Sequence, residues 1–168
     1  MAADLSTVAL EGLAAQLADA LRRRGWKLAV AESCTGGGLG YLLTSLPGSS
    51  DWFERGFVTY SNTAKREMLG VTAATLSQHG AVSEATARAM AKGALARSPG
   101  DIAVAITGIA GPGGGSLQKP VGTVCLAYAV HDDVQAMTRR FGGERQQVRA
   151  GAMEAAIQLL LQHLNSNT

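Results

Sequence analysis

The sequence predicts an α/β fold, a three-layer α/β/α sandwich with a mixed β-sheet, formed as one domain over residues 1–168. Three observations predict it. Short apolar runs alternate with segments of helical period through most of the chain. Near the end, the turn His131-Asp132-Asp133 joins two consecutive strand-like runs, which makes an antiparallel hairpin. Glycine-rich turns follow two strand runs, after Ala31 and after Ile106, and such turns bind ligands at the carboxyl ends of strands.

Each element follows from its residues. Val8, Leu10, Leu13, Ala14, Leu17 and Leu21 recur at helical spacing, with Ser6 or Thr7 as the expected cap. Arg22-Arg23-Arg24 suit the C-terminal end of that helix, and Gly25 stops it. Lys27 to Ala31 is a short buried strand. A helix from about residue 37 to 46 ends at Pro47-Gly48, and its glycines require tertiary packing to hold it. Residues 49–53 form a loop with an aromatic anchor, and residues 55–60 a strand rich in β-branched and aromatic side chains. Ser61-Asn62 opens a short helix carrying Lys65, Met68 and Leu69, ended by Gly70. Thr72 caps another through Leu76. Ser83 caps a longer helix whose alanines permit close packing on a sheet. Residues 101–106 and 121–130 are strands, and the hairpin runs on to Phe141. The last helix, residues 144–164, turns Val148, Ala152, Ala155, Ala156, Leu159, Leu160 and Leu164 inward, leaving residues 165–168 as a frayed tail.

Composition narrows the function classes. Fifteen Lys and Arg against thirteen Asp and Glu give +2, too balanced to predict a nucleic acid or an anionic membrane as partner. No apolar run approaches a membrane span, and Asp4 without a cleavage pattern argues against a signal peptide. Two cysteines, Cys34 and Cys125, make neither a disulfide framework nor a zinc site, so a reducing cytoplasm is expected. Charged residues at 17%, with abundant Ala and Gly, fit a buried oligomeric surface.

The chemistry centres on Ala31-Glu32-Ser33-Cys34-Thr35-Gly36-Gly37-Gly38, a strand end opening into a helix. Backbone N–H groups there can hold an anion or an oxyanion. Ser33 reads either as a helix cap, a duty Thr35 could share, or as a nucleophile. A nucleophile needs a base. His79, His131 and His163 lie away from both glycine-rich turns, whereas a desolvated lysine can replace histidine. Lys65, at the exit of a strand and followed by Arg66, is the best lysine; its ordinary role would be an exposed helix residue. Cys34 is a rival nucleophile without a paired histidine, or a small buried filler. The loop from Thr107 to Ser116 resembles a phosphate cradle but is neither a Walker loop nor a dinucleotide fingerprint. Lys119 beyond it either neutralises a phosphate or is solvated. Arg145 and Arg149 begin the last helix, where cations are unfavourable unless an anion, or Glu144, compensates them.

Four stretches in register carry a resemblance: Ala-Glu-Ser-Cys-Thr-Gly-Gly at 31–37, Gly-Phe-Val-Thr-Tyr-Ser-Asn-Thr-Ala-Lys at 56–65, Thr-Gly-Ile-Ala-Gly-Pro-Gly-Gly at 107–114 and Lys-Pro-Val-Gly-Thr-Val at 119–124. Together they resemble the C-terminal domain of the competence/damage-inducible CinA proteins and the stand-alone nicotinamide-nucleotide amidohydrolases. The resemblance implies a cytoplasmic amidase that converts nicotinamide mononucleotide and water to nicotinate mononucleotide and ammonia, in pyridine-nucleotide recycling. It implies no metal and no organic cofactor, and a homodimer or higher homo-oligomer. The family's nucleophile falls on Ser33 and its lysine on Lys65, with Tyr60 and Thr107 in matched motifs as further catalytic residues, expected to relay protons or position the amide. Thr107 stands where many relatives have serine. Backbone groups of Thr35, Gly36 and Gly37 are then expected to face the oxyanion, and Gly111, Gly113, Gly114 and Arg145 the ribose phosphate. The alternatives are a non-catalytic nucleotide- or partner-binding module linked to competence or DNA damage, and an amidase of different substrate.

Overall fold

A computed structural model describes residues 5–166. Its six helices and five strands follow in the order α1 (Leu5–Arg24), β1 (Leu28–Glu32), α2 (Gly38–Thr44), β2 (Phe53–Val58), α3 (Asn62–Leu69), α4 (Ala73–His79), α5 (Glu84–Ala96), β3 (Ile102–Gly108), β4 (Thr123–Val130), β5 (Asp133–Arg140) and α6 (Arg145–Ser166). The strands form one sheet in the order β2-β1-β3-β4-β5. β1 pairs in parallel with both β2 and β3, while β3–β4 and β4–β5 are antiparallel. The sheet is therefore mixed, and the expected hairpin is β4–β5.

Side-chain alternation along the strands makes the two faces unlike. Leu28, Val30, Ile102, Val104, Ile106, Val124 and Leu126 point to one face, where they meet α1, α2 and α6. Ala29, Ala31, Ala103, Ala105, Ala127 and Ala129 point to the other, where Ala87, Met90, Ala91 and Ala94 of α5 cover them. Small side chains on both sides let α5 lie close to the sheet, as its alanines predict. At Gly93 of α5 a Cβ would stand 2.0 Å from the Leu69 carbonyl oxygen, so this glycine sets how closely α3 approaches α5.

Several local expectations need correction. α1 already includes residues 6 and 7, where its start was expected, and Val8 is 53% exposed rather than inward. The residues that seat α1 are Leu10, Ala14, Leu17, Ala18, Ala20 and Leu21. β2 starts at Phe53 and ends at Val58, two residues earlier than predicted. Trp52, the expected anchor, is fully buried at the end of a single 3-10 turn, Ser49–Asp51. α6 continues to Ser166; of the expected frayed tail, residues 167 and 168 lie outside the described residues. Ser61, Thr72 and Ser83 cap α3, α4 and α5 as predicted, each accepting from a backbone N–H three residues on. Gly70 closes α3 in the left-handed region. No described helix is long and apolar enough to cross a membrane.

Candidate active site

Three parallel strands end side by side. The register sets Glu32 opposite both Val58 and Ile106, so the residues that follow them emerge together. Backbone bonds tie the exits: Ser33 N–H donates to the Ile106 carbonyl and Thr59 N–H to the Glu32 carbonyl. This is the adjacency of glycine-rich turns that the sequence reading required.

Ser33 and Lys65 meet at this corner. Lys65 Nζ lies 2.9 Å from Ser33 Oγ, 2.8 Å from the Thr59 carbonyl and 3.2 Å from the Tyr60 carbonyl. Lys65 is only 1% exposed, an unusual position for a lysine. Burial lowers its pKa below the ordinary 10.5. Arg66, the next residue in the chain, is exposed and takes no part in that shift. The contacts suit a neutral amine. Lys65 Nζ donates to all three oxygens; once the amine is neutral, as burial favours, the two carbonyls, which can only accept, keep its two N–H bonds and its lone pair turns to the Ser33 hydroxyl.

Ser33 is not a helix cap. The N-cap of α2 is Gly37, in the left-handed region and without a side-chain cap bond. The Glu32 carboxylate serves instead: Oε1 accepts from Leu39 N–H at 2.8 Å and from the Thr35 hydroxyl at 2.7 Å, and Oε2 from Gly40 N–H at 3.0 Å. Glu32 is a further functional residue, not among those expected from the sequence. Its only signal was a carboxylate placed at a strand end directly before a helix start.

The turn commits some amides and leaves others. Gly36 N–H closes onto the Ser33 carbonyl and Gly38 N–H onto the Thr35 carbonyl. The N–H groups of Cys34, Thr35 and Gly37 donate to no protein oxygen among the described residues. Gly36 therefore lacks the free donor expected of it, and the Thr35 hydroxyl is turned inward to Glu32.

Ser33, Cys34, Tyr60, Lys65, Thr107 and Arg145 line one cavity of about 190 Å³, closed by Ala81, Val82, Gly108 and Ala110. Thr107 is buried and donates to the Ala81 carbonyl at 2.8 Å. Tyr60 is 61% exposed at the mouth. Arg145, the first residue of α6, donates to the Gly111 carbonyl at 2.7 Å and to the Tyr60 hydroxyl at 3.2 Å. Gly111, Gly113 and Gly114 do not line the cavity; Gly111 holds Arg145 from behind. Arg149 reaches the Thr35 carbonyl at 3.1 Å. Lys119 donates to the His79 carbonyl, away from the cavity. No histidine lines it. Burial pushes the Cys34 thiol up to about 11, which keeps it protonated and a poor nucleophile. Among the described residues, no group of three or more His, Cys, Asp or Glu is arranged to hold a metal ion.

The family model described as "CinA C-terminal domain" matches residues 10–164. The chain belongs to the CinA C-terminal domain family. It is 52% identical over 158 residues to the nicotinamide-nucleotide amidohydrolase PncC of Escherichia coli K12, covering 93% of this chain and 95% of that protein. It is 46% identical to the PncC of Enterobacter agglomerans, covering 97% of this chain and 100% of that one. Against the longer CinA-like protein of Syntrophobacter fumaroxidans it is 51% identical, yet spans only 35% of that protein's length. Two solved structures share the fold. The competence/damage-inducible protein of Agrobacterium tumefaciens superposes with TM-score 0.89 at 47% identity, over 93% of this chain and 95% of that one. That of Klebsiella pneumoniae gives 0.90 at 40% identity, over 93% and 97%. The CinA C-terminal fold is thus the frame that sets the Ser33–Lys65 contact beside a small cavity.

Proposed function

We propose that this chain hydrolyses the carboxamide of nicotinamide mononucleotide, giving nicotinate mononucleotide and ammonia, with Ser33 as nucleophile and Lys65 as base. The observation that carries this reading is the Lys65 amine, buried, acceptor-bound on two sides and aimed at the Ser33 hydroxyl. The PncC relatives supply the substrate class.

Neutral Lys65 takes the Ser33 proton as Oγ attacks the carboxamide carbon. The free amides of the Ser33 turn, those of Cys34, Thr35 and Gly37, are the candidate donors to the tetrahedral oxyanion, and of these residues Cys34 lines the cavity. Its collapse breaks the C–N bond. Lys65 returns the proton to the leaving nitrogen, so ammonia departs and an ester to Ser33 remains. Water then attacks that ester, giving a proton to Lys65, which passes it to Ser33 Oγ as the acid is released. Thr107 and Tyr60 stand where they can position the amide.

The cavity, about 190 Å³, is smaller than the roughly 300–1,000 Å³ of ordinary ligand sites, so it suits the pyridine amide and not a whole nucleotide. The ribose phosphate then lies at the mouth, where Arg145 carries the charge to meet it. The same reading places the enzyme in the cytoplasm and in pyridine-nucleotide recycling, as one domain acting in a homodimer or higher homo-oligomer. Ammonia release from nicotinamide mononucleotide by wild type, Ser33→Ala and Lys65→Arg tests it. Both variants are expected to lose turnover, because arginine cannot act as a base near neutral pH. Wild-type turnover in either variant would remove that residue from the mechanism, and a wild-type protein that binds the nucleotide without releasing ammonia would favour a binding module.

A further inference from the structure

We propose that Glu32 is a positioning residue for the nucleophile: its buried carboxylate gathers Thr35, Leu39 and Gly40 and so holds the turn that presents Ser33 Oγ to Lys65 and leaves neighbouring amides free. The proposal rests on the reading of Ser33 as nucleophile.

Four observations lead to it. Glu32 is 1% exposed, and no salt bridge reaches it among the described residues. A buried carboxylate without a counter-ion is strongly disfavoured unless hydrogen bonds replace the lost water. Here three donors at 2.7, 2.8 and 3.0 Å do so, two of them backbone groups of the first turn of α2. The carboxylate therefore receives the helix N-terminus as an internal anion, and the α2 amides are withdrawn from any role toward substrate.

Second, the Glu32 backbone is fixed independently. It is the last residue of β1, paired on both sides, and its carbonyl accepts Thr59 N–H. Third, Ser33 lies between this anchored residue and Thr35, whose hydroxyl folds back onto the same carboxylate. The turn is thus clamped at both ends by one side chain. Fourth, Gly36 and Gly37, inside the clamped turn, lie in the left-handed region at φ 58° and 93°, which glycine adopts at no steric cost. Lys65 Nζ bonds to Ser33 Oγ and to the Thr59 and Tyr60 carbonyls, so the Glu32 carboxylate acts on the pair through the turn and not by touching the base.

The test compares wild type with Glu32→Gln, Thr35→Val and Ser33→Ala. Each is assayed for ammonia release from nicotinamide mononucleotide and for labelling by a serine-directed fluorophosphonate. The final extent of labelling counts folded sites, and its rate reports how well Ser33 is presented. Glutamine keeps the size of Glu32 but points an amide NH₂ at Gly40 N–H. Its labelling is expected to reach the wild-type extent about ten- to a hundredfold more slowly, with kcat per labelled site falling alike, KM staying within about twofold and the pH midpoint unmoved. Thr35→Val, which removes one donor and keeps the shape, is expected to follow with a smaller loss. Wild-type kcat per labelled site in both variants, with fewer sites labelled, would reduce Glu32 to a fold-stabilising group and overturn the proposal. A shifted pH midpoint in Glu32→Gln would make it an electrostatic partner of Lys65 and overturn it equally. Turnover retained by Ser33→Ala would instead sink the nucleophile reading itself, and Glu32's part with it.

Discussion

Burying Lys65 takes an ammonium out of water, and no carboxylate pairs with it among the described residues. Its folded pKa lies below 10.5 while the unfolded value stays ordinary. Between the two, the unfolded chain binds more protons, so stability rises with pH through that window and is lost as pH falls through the folded value. Against Lys65→Met, which has no proton to bind, wild type is expected to gain relative stability as pH rises toward 10.5; urea unfolding at a series of pH values checks this. The rate carries the same signature with the same sign. As the base is the neutral amine, kcat/KM should climb with pH and level off at a midpoint below 10.5, and a midpoint at or above that value would exclude Lys65 as the base. At this scale the sequence made Ser33 and Lys65 legible through residue type and motif. It hid Glu32, because the bonds it makes reach seven and eight residues ahead and follow no local capping pattern.

Elements place these groups through close backbone contacts. α3 carries Lys65, and α5 supports α3 where Gly93 meets the Leu69 carbonyl. Gly93→Ala sets two effects against each other. Helix propensity favours alanine by about 0.5–1 kcal/mol. A Cβ at 2.0 Å from a backbone oxygen cannot be accommodated without moving α3, which costs about 1–3 kcal/mol or more. The contact wins, so the variant is expected to unfold at lower urea and, with Lys65 displaced, to turn over more slowly; a stabilised variant would show that α3 does not rest on Gly93. Element order and the caps at Ser61, Thr72 and Ser83 were readable because they are local. Two strand ends were not. β2 stops at Val58, opposite the end of β1 at Glu32, and the Thr59 and Tyr60 carbonyls beyond it accept from Lys65. β3 runs on to Gly108 because antiparallel β4 pairs with Thr107 and Gly108, a partnership set by residues far along the chain.

Across the whole molecule, the sheet order brings three strand exits and the start of α6 to one corner, and only there do Ser33, Lys65, Thr107 and Arg145 share a cavity. The fold class was legible from alternation and the late hairpin, but which turns would meet was not, since strand order is a property of the folded sheet. The glycine loop illustrates the gap: composition suggested a phosphate cradle, whereas its Gly111 carbonyl orients Arg145. Arg145→Gln is therefore expected to raise KM for nicotinamide mononucleotide about tenfold or more while sparing kcat, since a charge-assisted hydrogen bond is worth about 1.5–3 kcal/mol. A phosphate-free nicotinamide riboside should be handled equally by wild type and variant. Covalent chemistry at Ser33 would be seen by intact-mass and peptide mass spectrometry of enzyme acid-quenched during turnover of nicotinamide mononucleotide. A nicotinate mononucleotide ester, the acid less one water, is expected on the peptide bearing Ser33 and absent from Ser33→Ala; an adduct carried by Cys34, or turnover persisting in Ser33→Ala, would refute Ser33 as the nucleophile.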